Sequence, residues 1–261
     1  MPRYDFRSPR LHVEAPLEAG GRVPLSAPHL HYLRDVLRLK PGDPVLAFNG
    51  RDGEWRTALA EEGRRAMALA VAEQTRAQTP AGDLHYLFAP LKRARLDYVV
   101  QKAVEMGASR LQPVVTRHTQ AERVNTGRMR ANVVEAAEQC GVLALPAVDE
   151  PVSLDKAVAG LDPARRLVFC DEDAPVIDPV AALGPVRAEA AAGGAVPLAV
   201  LIGPEGGFSE DERDLLLARP GVIRLALGPR ILRADTAAVA ALALVQAVLG
   251  DWGGTGEASR R

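Results

Sequence analysis

Cysteine, aromatic side chains and long apolar runs are all scarce in this chain, and each scarcity removes a class of protein. Only Cys140 and Cys170 occur, far apart and without metal-ligand spacing, so neither a disulfide framework nor a zinc site is written here. Two isolated thiols suit a reducing compartment, and a cytoplasmic protein with two structural cysteines is expected. Aromatics make up 4% of the residues, too few for the stacking platform that grips single-stranded nucleic acid. No apolar run approaches the roughly 20 residues of a membrane-spanning helix. No apolar stretch follows Arg3, Arg7 and Arg10 as a secretory signal requires. His12, His29, His31, His85 and His118 form no set at ligand spacing and are expected to be structural or exposed. Neither a membrane nor a metal is therefore expected as a partner.

Net charge is also nearly absent, at −1, which taken alone argues against a polyanionic partner. Its distribution reverses that argument. Residues 91–130 carry nine Lys or Arg against three Asp or Glu, whereas residues 131–261 carry 11 against 19. A local basic stretch inside a neutral protein is an electrostatic footprint for nucleic acid. The same arginines also fit solvated helix faces.

The first 75 residues read as short strands separated by turns. Leu11–Val13, Val45–Phe48, Trp55–Leu59 and Ala66–Val71 are strand-like, with turn signals at Gly20-Gly21, Pro41-Gly42-Asp43 and Asn49 through Gly53. One helix is predicted between Pro28 and Leu39, where Leu30, Leu33, Val36 and Leu37 share a face. This pattern suggests a small closed barrel over 1–75. After the polar stretch Gln74–Gly82 the pattern becomes alternating strands and helices. Strands are expected at Leu84–Ala89, Leu111–Val115, Leu167–Cys170, Leu198–Ile202 and Val222–Leu227, the last two buried. Helices are expected at Leu96–Met106, Thr126–Cys140, Pro179–Ala192, from a capping box at Ser209 to about Arg219, and from a cap at Asp235 or Thr236 to Gly250. This α/β alternation predicts a mostly parallel sheet over 80–251, with a flexible tail at 252–261.

Two loops stand out chemically. Gly203-Pro204-Glu205-Gly206-Gly207-Phe208-Ser209 follows a buried strand and opens a capped helix, the position at which α/β sheets bind ligands. It lacks the Gly-Lys-Ser/Thr of a P-loop and the G-x-G-x-x-G of a dinucleotide site, leaving a loop that holds a ligand mainly through backbone groups. Gly228-Pro229-Arg230-Ile231-Leu232-Arg233 follows the last strand, and its two arginines before a helix favour an anion. A tight turn and solvated surface arginines are the plainer readings of the same segments. Lys92, Arg93 and Arg95 form a third cluster, with Arg123 further on. In the first domain Arg3, Arg10, Arg34 and Arg38 are candidates to extend the same phosphate-contacting surface. No histidine stands beside the glycine loops in sequence, and Ser209 lacks the context of a hydrolase nucleophile.

Taken together, the blocks KRARLDYVVQKAVEMGASRLQPV, AEQCG, LIGPEGGFSEDE and LGPRILRADTAAVAAL resemble those of the RsmE family. These are the 16S ribosomal RNA (uracil-N3)-methyltransferases of the SPOUT superfamily. HYLRDVLRLKPGD and FNGRDGEW are similar to that family's first-domain blocks, so the resemblance runs from about Arg3 to Asp251. It implies a PUA-like β-barrel followed by a SPOUT-type α/β domain with a C-terminal trefoil knot. It further implies a homodimer, S-adenosyl-L-methionine as cofactor, and 16S rRNA of the small ribosomal subunit as partner. Leu201, Ile202, Gly203, Glu205 and Gly206 would border the cofactor on one side, and Leu227, Gly228, Ile231 and Leu232 on the other. Arg230 and Arg233 would face the RNA or the methyl group. The chain departs from the family pattern at Val142, where arginine is common after the AEQCG block, and at Ala234, where threonine is frequent.

Methylation of a uracil N3 requires an imide proton to leave, so either a base or a cation must serve the developing anion. The sequence offers Arg233 and Arg230 for that charge, with Glu205 orienting the cofactor or its partner groups. Two other readings keep part of the pattern. A non-catalytic RNA-binding assembly factor needs the basic surface without the glycine loops, and a relative acting on another RNA needs the loops with a different first domain.

Overall fold

Three neighbouring strands, Pro44–Phe48, Glu54–Glu62 and Ala66–Arg76, lie side by side, and around them the first of two structural units assembles. In the computed structural model, which describes residue 5 and residues 7–63, 66–120 and 123–253, this unit comprises residues 1–80 with 137–145. The second holds residues 81–136 with 146–261. Arg3 and residues 254–261 of the expected tail lie outside the described residues.

The first unit contains β1 (Arg10–His12), β2 (Arg22–Pro24), α1 (Ala27–Leu30), β3 (Pro44–Phe48), β4 (Glu54–Glu62) and β5 (Ala66–Arg76). Its sheet runs β1-β3-β4-β5-β2. The pair β1/β3 is parallel and the other pairs are antiparallel. Leu11, Val13, Val23, Leu33, Val45, Leu59, Leu69 and Val71 form its core. The ladder begins at β1 and ends at β2, with no pairing between those two strands among the described residues. The single helix predicted over 28–39 is instead α1, capped by Ser26, running into a wider π-helical turn at His31–Val36. Arg38, with φ at 59°, ends it in the left-handed conformation where glycine ordinarily stands.

The second unit is built from a parallel sheet with helices between its strands. In chain order it has β6 (Leu84–Phe88), α2 (Arg93–Glu105), β7 (Arg110–Val115), residues 126–136 of α3 (Thr126–Cys140), β8 (Ala147–Val148), β9 (Val152–Ser153) and α4 (Leu154–Ala159). There follow β10 (Arg166–Cys170), α5 (Pro179–Gly193), β11 (Leu198–Ile202), α6 (Glu210–Leu217), β12 (Val222–Leu225) and α7 (Ala234–Val248). The sheet order is β12-β10-β11-β6-β7-β8, with β9 also paired to β7. Every pairing is parallel, so all the carboxyl ends, and the loops leaving them, lie along one edge. Leu198–Ile202 is buried throughout, as its unbroken apolar run requires for a strand covered on both faces. β12 is different. It is the sheet's outermost strand, with Val222, Ile223 and Arg224 half-buried, which corrects the expectation of a second fully buried strand. The apolar residues of β12 cover one flank while Arg224 turns to an acidic partner.

That partner is Asp171, immediately after β10. Its carboxylate is fully buried, with 0% side-chain exposure, and accepts from Arg213 Nη1 of α6 at 2.6 Å and Arg224 Nε of β12 at 2.7 Å. Its own N–H donates to the Leu225 carbonyl at 3.0 Å. One side chain thus ties β10, β12 and α6 together. Burial by itself would raise the carboxyl's pKa, but hydrogen bonds from the two guanidiniums outweigh it and hold the group below its ordinary value. At the other end of the unit, buried Gln246 of α7 donates to the Met106 carbonyl at 2.8 Å, fastening the last helix to the end of α2. Among the described residues no helix is long and apolar enough to cross a membrane.

Replacing Asp171 by alanine leaves the two half-buried guanidiniums with Asp173 alone and is expected to lower stability by about 3 kcal/mol in denaturant unfolding. A folded-state pKa held below the unfolded value of about 3.9 makes the wild-type contribution complete above that pH. It is lost as pH falls through the depressed value, and Asp171→Asn should flatten this acid limb of the stability profile.

Candidate active site

The glycine loop after β11 is shaped by one aromatic side chain. Phe208 folds back beneath Gly203, so that a Cβ at position 203 would lie 2.5 Å from its ring, closer than any side chain tolerates. The same ring packs edge-on against Phe169 of β10, with centroids 5.2 Å apart. Gly207 N–H donates to the Pro204 carbonyl at 3.0 Å, closing a turn that places Gly207 at φ 70°. Ser209 and Glu212 then form the capping box expected from sequence.

A second loop braces the first. The connection between β7 and α3 is folded on itself by Thr116 and Thr119, whose side chains and backbone bond to each other. From it Arg117 N–H donates to Glu212 Oε1 at 2.8 Å, and His118 Nδ1 bonds the Gly207 carbonyl at 3.0 Å. Bonding to a carbonyl makes Nδ1 the protonated nitrogen. Gly206 packs so closely that a Cβ there would come within 3.2 Å of the His118 Cβ. His118 therefore stands beside the glycine loop, correcting the expectation that no histidine does. The two segments lie 89 residues apart in sequence, and no spacing rule links them.

The loop after β12 is bare by comparison. Arg230 and Arg233 are exposed, Leu227 and Leu232 are half-buried, and Ile231 is 97% exposed. Gly228 takes φ 91° with no atom within 4 Å of a would-be Cβ, so its conformation, not crowding, demands glycine. The helix α7 begins with Arg233 as N-cap and has no side-chain cap. The expected cap at Asp235 or Thr236 is thus corrected, Asp235 lying in the first turn. The two loops do not leave neighbouring strands: β10 lies between β11 and β12. Burial pushes the Cys170 thiol at the end of β10 up to about 12, so it offers no thiolate at neutral pH.

Arg95 links the parts. Its Nη1 donates to Glu205 Oε1 at 2.9 Å, and its Nε lies 3.9 Å from Asp235 of α7. Beside it, Pro90, Leu91, Lys92, Arg93, Ala94, Gln120 and Glu205 complete the wall of a cleft of about 480 Å3.

The candidate RNA contacts divide sharply. Lys92, Arg93 and Arg123 are exposed, as are Arg34, paired to Asp35 at 2.8 Å, and Arg38. Arg95 is half-buried in its ion pairs. Arg10 is misassigned as an RNA contact. It is buried, with Nε 3.0 Å from Glu54 Oε2 and both side chains at most 5% exposed, so its charge is spent on the buried carboxylate at the start of β4. Among the described residues no group of three His, Cys, Asp or Glu is arranged to hold a metal ion.

The pattern of residues 77–246 matches the family profile described as an RNA methyltransferase domain, and 26–71 that of an RNA methyltransferase PUA domain. A protein of Synechocystis named ribosomal RNA small subunit methyltransferase E is 32% identical over 87% of this chain and 73% of its own. The chain belongs to this family. Another member, from Rickettsia conorii and of the same name, is 27% identical over 91% of this chain and 94% of its own. A Legionella pneumophila protein solved with the cofactor SAM superposes with a TM-score of 0.78, at 26% identity over 92% of this chain and 98% of that one. The methyltransferase family thus accounts for both the first unit and the parallel sheet.

Because Arg10 serves the first unit's interior, Arg10→Ala should lower that unit's free energy of unfolding by the roughly 3–5 kcal/mol of a broken buried pair. It should leave the salt dependence of RNA binding by the remaining folded protein unchanged.

Proposed function

We propose that the chain transfers a methyl group from S-adenosyl-L-methionine to N3 of a uridine in 16S rRNA of the small ribosomal subunit. The observation that carries the reading furthest is the pair of glycine loops at the carboxyl edge, one braced and one bare, in a chain of this family. Leu201, Ile202, Gly203, Glu205 and Gly206 are assigned to one wall of the cofactor site, and Leu227, Gly228, Ile231 and Leu232 to the other. The fit is chemical: an isoleucine 97% exposed, two half-buried leucines and an open glycine suit a flat adenosyl group. Bound there, the cofactor supplies an electrophilic methyl group.

The remaining chemistry falls to the chain. Arg230 and Arg233 are exposed, and neither has an ion-pair partner among the described residues, so both guanidiniums are available for the uracil oxygens. When the N3–H bond breaks, charge gathers on those oxygens, and a preorganised cation lowers that barrier. The charge is discharged as N3 takes the methyl group, whose bond electrons would stay with the sulfonium sulfur and leave it a neutral thioether. The proton passes to solvent. Glu205, already an acceptor for Arg95, suits orientation rather than proton abstraction. Lys92, Arg93, Arg123, Arg34 and Arg38 are assigned to phosphate contacts, and Arg95 to support of Glu205. A homodimer, a trefoil knot at the C-terminal end and a cytoplasmic location complete the reading, supported by the family alone.

Labelled cofactor incubated with unmodified small subunits should yield 3-methyluridine by mass spectrometry. Arg233→Ala should cut turnover by about 10²–10³-fold with RNA binding retained. An unchanged rate in that variant would remove the charge-stabilising role, and absence of cofactor binding in the wild type would return the chain to a purely RNA-binding function.

A further inference from the structure

Of the cations in residues 91–130, most are already committed. Lys102 pairs with Glu105, Arg110 with Asp149, Arg128 with Asp97, Arg130 with Glu150 and Arg95 with Glu205. Lys92, Arg93, Arg117 and Arg123 are exposed and have no ion-pair partner among the described residues. Lys92 and Arg93 lie where the loop leaving β6 enters α2, and Arg117 and Arg123 on the loop leaving β7, so the charge left for a polyanion is confined to the carboxyl edge.

We infer that the cleft between these loops and Glu205 seats the acceptor nucleotide, its 5′ phosphate on Lys92, Arg93 and the first turn of α2, and a carbonyl of its pyrimidine on the Gln120 amide. The inference rests on the reading of the chain as a uridine methyltransferase. Three features converge on it. The cleft, about 480 Å3, falls within the roughly 300–1,000 Å3 of small-ligand sites. The helix α2 has Lys92 as N-cap with no side-chain cap and no acidic residue in its first turn, which instead carries Arg95, paired with Glu205, and Arg93, which has no ion-pair partner among the described residues. Arginine at a helix start opposes the backbone dipole unless an anion is bound there. Finally, Glu205 belongs both to this cleft and to the glycine loop. Methyl transfer requires donor and acceptor atoms about 3–3.5 Å apart, so an acceptor seat must share a wall with the cofactor site, and this cleft does.

Gln120 is the wall's exposed neutral polar side chain. Its amide N–H can donate to a carbonyl flanking N3 without covering N3 itself, and that bond strengthens as the imide loses its proton. A glutamate at the same position would repel the anion.

The test is steady-state methylation of unmodified small subunits by the full-length protein, over a range of salt and pH, with cofactor affinity and unfolding midpoint measured in parallel. Lys92→Ala with Arg93→Ala should raise KM about tenfold or more and reduce the salt slope by about two, with cofactor Kd unchanged. Gln120→Ala should lower kcat and move the alkaline rise of the rate to higher pH, Gln120→Glu more so, again without loss of cofactor. Arg187→Ala, an exposed cation on α5, should match the wild type. Wild-type transfer with an unaltered KM and salt slope in the double variant, or an unaltered kcat and pH profile in Gln120→Ala, overturns the seat alone. No wild-type transfer to any uridine overturns it together with the reading on which it rests.

Discussion

The second unit hangs on a buried carboxylate. Asp171 sits at the carboxyl end of β10, between the strands whose loops form the candidate active site, and holds Arg213 and Arg224 at 2.6 and 2.7 Å. The fold has an evident need of it. β11 and β12 are separated by β10, so their loops cannot be held in register by a shared backbone ladder. A bidentate anion at the middle strand joins the helix that follows one loop to the strand that precedes the other. Desolvating that anion is costly, and the two guanidiniums and the Asp173 N–H offset the cost only because they arrive together.

The two loops are stabilised in different ways, and the difference follows from their neighbours. The glycine loop has Phe208 beneath it, a capping box behind it and His118 beside it, so its backbone is fixed from three directions. The loop after β12 has a left-handed glycine and exposed side chains, with Ile231 almost wholly in solvent. Ordering such a loop costs conformational entropy that its own contacts do not return. A ligand or partner that covers Ile231 would supply the missing apolar burial.

Much of this architecture was legible in the sequence, because it rests on local rules. Leu198–Ile202 announced a doubly covered strand by composition alone, and the Ser209–Glu212 box marked its helix start. What escaped was set by distant partners. Arg10 looked like a surface cation until the sheet set it against Glu54. His118 looked isolated until β7 and β11 aligned their carboxyl ends. The cap of α7 was misread because Asp235 has the chemistry of a cap, whereas the backbone turns two residues earlier at Arg233. Short strands such as β2, β8 and β9 have two or three residues, below the length at which alternation is detectable.

Those short strands have a colloidal consequence. A parallel sheet buried on both faces has an interior of almost pure aliphatic strand, the composition most prone to pair with another molecule when an edge is open. Here the rims are the least adhesive part of the sheet. One is β12, four residues long and interrupted by Arg224, and the other is made of β8 and β9 at two residues each. Neither offers a run long enough to template an incoming strand. The native sheet is thus protected from edge-to-edge aggregation, and the hazard is moved to the unfolded chain, in which Leu198–Ile202 has no such protection.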